Sequence, residues 1–425
     1  MEPIVVADVP RILSYILIIL RRRFSVRWAR KRIADSDGGH DKREACAMDG
    51  SSTRAAVSLL LLLLLLSPPP SSPSIRRYHY DSIFSFGDSY TDTGNNPVAF
   101  AWYSVLNPVT RPPYGTTFFG RPTGRLTVDF LGACGLGLPL VPPFLAHDGS
   151  FRHGANFAVA IDAGFFHDGE PPGSGKFPLN TSLGVQMQWF ESLLPSLCAT
   201  TQDCKEFLGR SVFFIGELGF NDYSFSLFRG KSVQQLISLV PDIINTISIA
   251  IEVLIRHGAT SLLVSGMVPA GCEPPVLVFC DGADPASYSP RTGYCVKEMN
   301  ELSIHHNSML QESLAKIRAD HPDVDITYAD FFSPIMAMIE SPAKFVLWST
   351  IVCIEFVIRA WFDEDDALTV PLQHSEITCG DPGCTTWKDP SARLFWDGAH
   401  LTEAANRYVA DGWLTSLSSP ATATN

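Results

Sequence analysis

Short apolar segments alternate along this chain with longer stretches of helical length. Four of them read as strands: SIFSF at Ser82–Phe86, SVFFI at Ser211–Ile215, SLLV at Ser261–Val264 and VDITY at Val324–Tyr328. Between them lie periodic segments such as Ser232–His257 and Val296–Ala319. Strands that are apolar at almost every residue are typical of a parallel sheet covered by helices on both faces. The alternation therefore predicts an α/β fold with a central parallel sheet.

Polar, glycine-containing turns follow the first two strands. Gly87, Asp88 and Ser89 come directly after the first strand, and GELGFNDY, with Gly219 and Asn221, follows the second. The carboxyl ends of parallel strands lie along one edge of the sheet, which is where such folds carry their active sites. We therefore expect these turns to be neighbours.

The serine of the first turn has two interpretations. Hydrolysis of an ester by a serine needs an exposed hydroxyl on a sharp turn, an imidazole that takes its proton and a carboxylate that orients the imidazole. Gly87 permits a tight exit from the strand, so Ser89 meets the first need, and its backbone N–H is a candidate oxyanion donor. A serine in such a place more commonly caps a helix, and this turn by itself favours the cap.

Residues later in the chain meet the other needs. In WDGAHLTEAA, Asp397 stands three residues before His400, so its carboxylate can reach Nδ1 and leave Nε2 for the nucleophile. The alternative is a surface-capping Asp–His pair. Asn221 offers an amide suited to an oxyanion donor, and its alternative is a turn-forming asparagine. These signals reinforce one another because all of them fall where an open parallel sheet gathers its turns.

The order Ser, Asn, then Asp–His, with GDS in place of a G-x-S-x-G elbow, argues against an α/β-hydrolase. FSFGDSYTDTGN, GELGFNDY and WDGAHLTEAA instead resemble the signature blocks of plant GDSL esterase/lipases, in the SGNH hydrolase superfamily. RPPYG, FGRPTGRLTVDF, GANFAVA, VPAGC and YVADGWL are also similar to that family. The resemblance implies a flavodoxin-like three-layer α/β/α sandwich with a central parallel sheet, and hydrolysis of carboxylic esters without a cofactor.

The resemblance also implies roles for individual residues. Ser89 is the expected nucleophile, His400 the base and Asp397 its orienting acid. Asn221 is the expected side-chain oxyanion donor, beside the backbone N–H of Ser89. Gly219 is the glycine of the same block as Asn221 and is a further oxyanion candidate.

One signature block departs from the family. In GANFAVAIDAGFFHDG, Ile161 stands where the family has a glycine whose N–H completes the oxyanion hole, and a few residues are missing before Asp162. Gly164 can substitute for that glycine only if the loop shifts its register. The departure bears on turnover and leaves the fold prediction unchanged.

The domain organisation is predicted in three parts. Residues 1–47 are an expected non-native extension, whose apolar run Ile12–Leu20 is too short to span a membrane. Residues 48–74 combine Arg54, an apolar run and then small residues and prolines, which is the layout of a secretory signal peptide. Residues 75–425 are the expected hydrolase domain.

Residues 345–378 form an atypical insertion within that domain. The family has a Cys/Gly-rich loop at this place, whereas this chain reads FVLWSTIVCIEFVIRAWFDEDDALTVPLQHSEIT. The apolar part is interrupted by Glu355 and is too short for a membrane span. A buried core helix is one interpretation. An intron-derived stretch is favoured, because it also explains Cys353 and the odd number of cysteines after Met48.

Secretion makes disulfides and glycosylation expected. The closely spaced candidate pairs are Cys198–Cys204, Cys272–Cys280 and Cys379–Cys384. Asn180 begins the glycosylation sequon Asn-Thr-Ser after a Pro/Gly-rich loop, a context that suits an exposed site. The net charge of −12 argues against a nucleic-acid partner. The sequence has no CxxC pair, HExxH or P-loop, so no metal site is expected.

These features predict a secreted, extracellular serine hydrolase of carboxylic esters that works through an acyl-enzyme. The expected substrates are small acyl esters or acetylated cell-wall and secondary metabolites, and no stable membrane span is expected. A lipase, an acyltransferase on the same fold and a catalytically impaired GDSL-like binding protein are the alternatives. The two altered stretches favour the impaired protein, whereas the intact Ser, Asn, Asp and His set disfavours it.

Overall fold

The structure, a computed structural model, describes residues 80–102, 108–110, 112, 114–115, 118, 121–159, 181–280, 282–345, 349–351 and 393–418. All of these residues belong to one unit, Ile75–Asn425. The predicted extension 1–47 and signal peptide 48–74 lie outside the described residues and stay predictions.

An entirely parallel sheet of five strands forms the centre of this unit. Its strands are β1 (Ser82–Phe86), β2 (Gly154–Asn156), β3 (Ser211–Ile215), β4 (Ser261–Ser265) and β5 (Asp325–Ala329). Their spatial order is β2-β1-β3-β4-β5, which is the flavodoxin-like order. The predicted α/β fold with a central parallel sheet is confirmed. The four strands predicted from sequence are β1, β3, β4 and β5.

The edge strand β2 is the one that sequence reasoning missed. It has only three residues, GAN, and none of them is β-branched or aromatic. Gly154 pairs with Ile83 of β1 and has a φ of 113°. A Cβ at this position would lie 1.8 Å from the carbonyl oxygen of Ile83, so the close pairing of β2 with β1 requires glycine.

Helices flank the sheet and connect its strands. They are α1 (Asn96–Trp102), α2 (Thr127–Asp129), α3 (Leu183–Leu197), α4 (Thr201–Leu208), α5 (Phe220–Phe228), α6 (Val233–Ile237), α7 (Val240–His257), α8 (Pro274–Phe279), α9 (Lys297–Asp320), α10 (Phe332–Glu340) and α11 (Glu403–Ser418). Helix α2 continues directly into a π-helical segment, Phe130–Leu136. Single 3₁₀ turns lie at Pro108–Thr110, Phe144–Ala146, Ala270–Cys272, Pro285–Ser287 and Pro342–Phe345.

The predicted helical segment Ser232–His257 forms two helices, α6 and α7. Pro241 stands in the first turn of α7, where the missing N–H of proline has no intrahelical role, so a new helix begins there. By length and apolar composition alone, Val233–His257 could cross a membrane. In the fold, one face of α7, including Ile243 and Ile251, is buried in the hydrophobic core.

A second sheet of two parallel strands lies close in sequence to the C-terminal signature block. It pairs β6 (Ser349–Ile351) with β7 (Arg393–Phe395). Within the atypical stretch 345–378 the structure describes Phe345 and β6, so both interpretations of the stretch as a whole stay predictions. Residues 346–348 and 352–378 lie outside the described residues, as do Cys379 and Cys384.

Two disulfides are present among the described cysteines. Cys198 pairs with Cys204, as predicted, but Cys272 pairs with Cys295, so the predicted pairing of Cys272 with Cys280 is wrong. Helix α8 separates Cys272 from Cys280, and its six residues rise by roughly 9 Å, beyond the Cα separation that a disulfide tolerates. The backbone N–H of Val296 donates to Gly271 O at 2.7 Å, which brings Cys295 beside Cys272.

Candidate active site

The strand order places the candidate site at the reversal point of the sheet. The chain leaves β1 toward β2 on one side and β3 toward β4 on the other, so a crevice opens between the carboxyl ends of β1 and β3. Ser89 follows β1, and Gly219 and Asn221 follow β3. The structure therefore brings together the first two of the turns that the sequence singled out.

The turn Gly87–Tyr90, called here the nucleophile turn, is fixed by its neighbours. Gln186 of α3 binds both backbone groups of Gly87: the N–H of Gly87 donates to Oε1 at 3.0 Å, and Nε2 donates to Gly87 O at 2.8 Å. Gly87 has a φ of 138°, and a Cβ there would meet the Cα of Gly216 at 3.2 Å. The nucleophile turn thus packs directly against the backbone that follows β3.

Ser89 is half-buried at the tip of this turn, and it does not perform the capping role considered from the sequence. The amides that a capping serine would bind, those of Thr91 and Asp92, donate to the backbone carbonyl of Asp88 at 3.1 and 3.0 Å. The true cap of α1 is Asp92, whose carboxylate accepts the N–H groups of Gly94, Asn95 and Asn96. The TDTGNN stretch is therefore structural.

Asp397 and His400 lie in the loop between β7 and α11. Asp397 Oδ1 accepts the backbone N–H of Ala399 at 2.8 Å and of His400 at 2.7 Å, and Oδ2 lies 2.9 Å from His400 Nδ1. Tyr114 donates its hydroxyl to Asp397 Oδ2 at 3.0 Å. These bonds fix the imidazole with Nδ1 toward the carboxylate, which makes Nε2 the atom that can take a proton.

The ionisation of this pair follows from its surroundings. Burial alone lowers the pKa of His400, but the charge and hydrogen bond of Asp397 outweigh burial and raise that pKa above 6.5. Burial likewise raises the pKa of Asp397, and the charge and hydrogen bond of His400 bring it below 3.8. Asp397 therefore loses its proton at a lower pH than His400 does.

Tyr90, which sequence reasoning missed, joins the nucleophile turn to the loop of His400. Its hydroxyl lies 2.8 Å from Ala399 O and 2.9 Å from Oε2 of the buried Glu273, and its ring centre lies 6.0 Å from that of His400. Glu273 directly precedes α8, which follows the third predicted strand. A tyrosine inside a GDS-x block carries no pattern that reveals such a contact, because the contact spans 309 residues of sequence.

The two hydrogen-bond contacts of the Tyr90 hydroxyl are better satisfied when Glu273 is neutral. One phenolic hydrogen cannot serve two acceptors fully, but a protonated Glu273 can donate to Tyr90 while Tyr90 donates to Ala399 O. Burial raises the pKa of Glu273 to about 8, which agrees with this count. The hydrogen bonds of Tyr90 to Glu273 and to Ala399 thus connect three loops of the site.

Asn221 and Gly219 lie on the turn into α5. The amide Nδ2 of Asn221 donates to Asp88 Oδ2 at 3.2 Å, which ties it to the nucleophile turn. Gly219 has a φ of 116°, and a Cβ there would come within 3.0 Å of His306 Cε1. Burial lowers the pKa of His306 to about 3, so a neutral imidazole, bonded to Tyr223, packs beneath this glycine. Gly219 thus has a clear role in shaping the turn.

Three of the residues singled out from the sequence lie outside the part of the chain that the structure describes. Ile161 and Gly164 lie outside the described residues, and so does Asn180, although the adjacent Thr181 is described and buried. Within the described part of the chain, no cluster of His, Cys, Asp and Glu is arranged to hold a metal ion.

Comparison with known proteins gives one family. The sequence model of the GDSL-like lipase/acylhydrolase family matches residues 83–413. The chain is 37% identical over 344 residues to a GDSL esterase/lipase of Arabidopsis thaliana, covering 79% of this chain and 83% of the relative. A second Arabidopsis thaliana GDSL esterase/lipase is 38% identical over 349 residues, covering 79% and 90%. The sinapine esterase of Brassica napus is 37% identical over 359 residues, covering 80% and 86%.

Replacing Glu273 by glutamine tests its neutral form. The folded protein keeps the Glu273 proton up to about pH 8, whereas the unfolded chain releases it near 4.5, so the wild-type free energy of unfolding falls as pH rises between these values. This group contributes at most about 1.4 kcal/mol per pH unit. Glu273→Gln removes that contribution, and urea unfolding across this pH range should show a shallower decline than in the wild type.

The control is Glu301→Gln, which changes an exposed glutamate of α9. It should keep the wild-type pH dependence of unfolding. An unchanged pH dependence in Glu273→Gln would contradict the neutral carboxyl.

Proposed function

The chain belongs to the GDSL-like lipase/acylhydrolase family and is a carboxylic ester hydrolase, and from this premise we propose that Ser89 is its nucleophile and that it acts through an acyl-enzyme. The observation that carries the proposal is the link between the two halves of the site. Tyr90, next to Ser89 in sequence, is hydrogen-bonded at 2.8 Å to Ala399, next to His400. This hydrogen bond ties the turn of Ser89 to the loop of the Asp397–His400 pair.

In the proposed first step, Ser89 Oγ attacks the ester carbonyl carbon while its proton passes to His400 Nε2. The carbonyl oxygen becomes an oxyanion, and Asp397 stabilises the imidazolium. His400 then gives the proton to the leaving alcohol as the carbon–oxygen bond breaks, which leaves an acyl group on Ser89. Water then attacks the acyl carbonyl carbon while His400 takes the proton of the water. The bond to Ser89 breaks, the carboxylic acid is released, and Ser89 recovers its hydrogen from His400.

The proposed oxyanion donors are the backbone N–H of Ser89 and the side-chain amide of Asn221. Asn221 is supported by its position after β3 and by its bond to Asp88, which holds it beside the nucleophile turn. Each such donor contributes about 3–4 kcal/mol to transition-state stabilisation in serine hydrolases. Gly219 and Gly164 are the weaker candidates for a further oxyanion donor. The conformation of Gly219 is already explained by its role in the turn into α5.

For the substrate we propose a small acyl ester or an acetylated cell-wall or secondary metabolite. The support is the similarity to a relative whose name assigns it sinapine as substrate. The alternatives are a lipid ester as the substrate and transfer of the acyl group to an alcohol in place of water. Analysis of the products distinguishes these outcomes. Each uses the same acyl-Ser89.

We further propose that the protein is exported to the cell exterior after removal of residues 48–74. The layout of that segment and the disulfides Cys198–Cys204 and Cys272–Cys295 support export, because disulfides persist in oxidising compartments. N-terminal sequencing of the protein recovered from the medium of expressing plant cells should begin near residue 75. Retention inside the cell with an intact leader would contradict export.

Ser89→Ala should abolish hydrolysis of p-nitrophenyl acetate and butyrate. Removing the nucleophile prevents the acyl-enzyme, so kcat should fall by roughly 10³-fold or more. Ser192→Ala, at an exposed serine of α3, is the matched control and should keep wild-type rates. Equal rates for Ser89→Ala and wild type would disprove the proposed nucleophile. Added alcohols, followed by chromatography of the products, report whether water or the alcohol receives the acyl group.

The acid limb of the pH profile should report His400. Catalysis needs the neutral imidazole, whose pKa is raised by Asp397, so kcat/KM should fall as pH drops through a value above 6.5. Asp397→Asn removes the charge that raises this pKa, leaves burial to lower it, and should move the limb to lower pH. It should also reduce kcat by roughly 10³–10⁴-fold.

The measurement is the initial rate across pH, read at the isosbestic wavelength of nitrophenol. An acid limb that stays in place in Asp397→Asn would exclude His400 as the titrating base.

A further inference from the structure

Two buried carboxyl groups follow the carboxyl ends of the paired strands β1 and β3. Asp88 is 1% exposed and Glu217 is fully buried, and they follow the adjacent strands β1 and β3. The mechanism proposed above does not use either group. We propose that Asp88 and Glu217 share a single proton and together act as the positioning group of the Asn221 amide. This inference deepens the proposed esterase mechanism and rests on it.

The hydrogen bonds of Asp88 show why it needs to be ionised. Its Oδ1 accepts the backbone N–H of Tyr90 at 2.9 Å, and its Oδ2 accepts Nδ2 of Asn221 at 3.2 Å. Both of these partners are donors, and a carboxylate accepts from both oxygens. An ionised acceptor also makes the stronger bond, so the charge on Asp88 fixes the rotamer of Asn221.

The hydrogen bonds of Glu217 show why it needs the proton. Its Oε1 accepts the backbone N–H of Phe220 at 3.2 Å, which anchors the first turn of α5. As a carboxylate, its buried Oε2 would have no donor among the described residues. A proton on Glu217 gives its partnerless Oε2 a hydrogen bond to the carboxylate of Asp88, which follows the adjacent strand, and such a bond requires one proton between the two groups. Glu217 stands four positions before Asn221, so one turn carries both.

The electrostatics of the pair give the same assignment. Burial and then the charge of Asp88 raise the pKa of Glu217 well above its usual value. Burial also raises the pKa of Asp88. Hydrogen bonds from Glu217 and from the Tyr90 N–H oppose this effect, and the net shift of the Asp88 pKa is upward. Asp88 therefore ionises first, and Glu217 keeps the proton at neutral pH.

The groups that face the pair hold this state in place. They are Tyr90 on the nucleophile turn, Asp222 and Tyr223 on α5, Glu273 directly before α8, and His400 on the loop after β7. Among these groups His400 is the one that can carry positive charge. A second ionisation of the pair would add negative charge beside the oxyanion and oppose its formation.

Infrared spectroscopy at about pH 7 tests the shared proton without turnover. The C=O absorption of neutral carboxyl groups should be weaker in Glu217→Gln than in wild type, because one protonated carboxyl is gone. Glu206→Gln, at an exposed glutamate of α4, is the matched control and should keep the wild-type absorption. An undiminished absorption in Glu217→Gln overturns the shared proton, whatever the activity of the protein.

Kinetics test the positioning role. Glu217→Leu removes the donor to Asp88, so the side-chain amide of Asn221 is no longer held in one orientation. The kcat should then fall roughly tenfold to a hundredfold, with little change in KM. Glu217→Gln still donates to Asp88 through its amide, so it should recover part of the lost kcat, and its rate should decline less at alkaline pH than the wild-type rate. A wild-type kcat in Glu217→Leu, or a KM that rises in step with the loss, overturns the positioning role.

The two readouts separate this proposal from the esterase mechanism. If Ser89→Ala hydrolyses esters as fast as wild type, the proposed nucleophile fails while the infrared result still reports on the pair. Urea unfolding of Glu217→Leu identifies a variant that has not folded, and in that case Glu217→Gln alone decides the matter through its absorption and its alkaline decline.

Discussion

The parallel pairing of β1 with β3 is the constraint on which the site depends. The register runs from Ser82 opposite Ser211 to Phe86 opposite Ile215, so both strands end at the same level. Gly87 and Gly216 then pack backbone against backbone, with no room for side chains between them. Because the sheet order reverses at this pair, the turn carrying Ser89 and the turn carrying Asn221 both lie at the point where folds of this class bind their ligands.

Burial governs the electrostatics of the crevice. Glu217 and Glu273 are both fully buried, and loss of hydration raises the pKa of each, so both favour the neutral form. Asp397 is also buried but stays ionised, because it accepts two backbone N–H groups and faces His400. Carboxyl groups in the same low-dielectric region thus differ in charge according to the donors that each one meets. In the proposed mechanism, the site keeps its negative charge where the imidazolium of His400 forms and limits it where the oxyanion forms.

Sequence patterns anticipated the elements whose signal is local. The apolar runs of β1 and β3 identify them as buried strands, and the blocks around Ser89 and His400 identify the family that the comparisons confirm. Patterns failed where a distant backbone decides. β2 is a strand because Gly154 lets it approach Ile83, and Cys272 pairs with Cys295 because Val296 bonds to Gly271. Tyr90 and Glu273 carry no sequence signal of their contact, since 183 residues separate them.

The sequence by itself determined the class of fold, the family and the identity of the candidate nucleophile, base and acid, because these follow from hydrophobic alternation and from contiguous blocks of residues. The tertiary structure decided how those groups are held. It assigned the capping of α1 to Asp92 rather than to Ser89, tied the loop of His400 to the nucleophile turn through Tyr90, and placed Asp88 and Glu217 at the ends of adjacent strands. Hydrogen bonds and proton affinities depend on which groups meet in three dimensions and on how much water the fold excludes from them, and neither is encoded in the local order of residues.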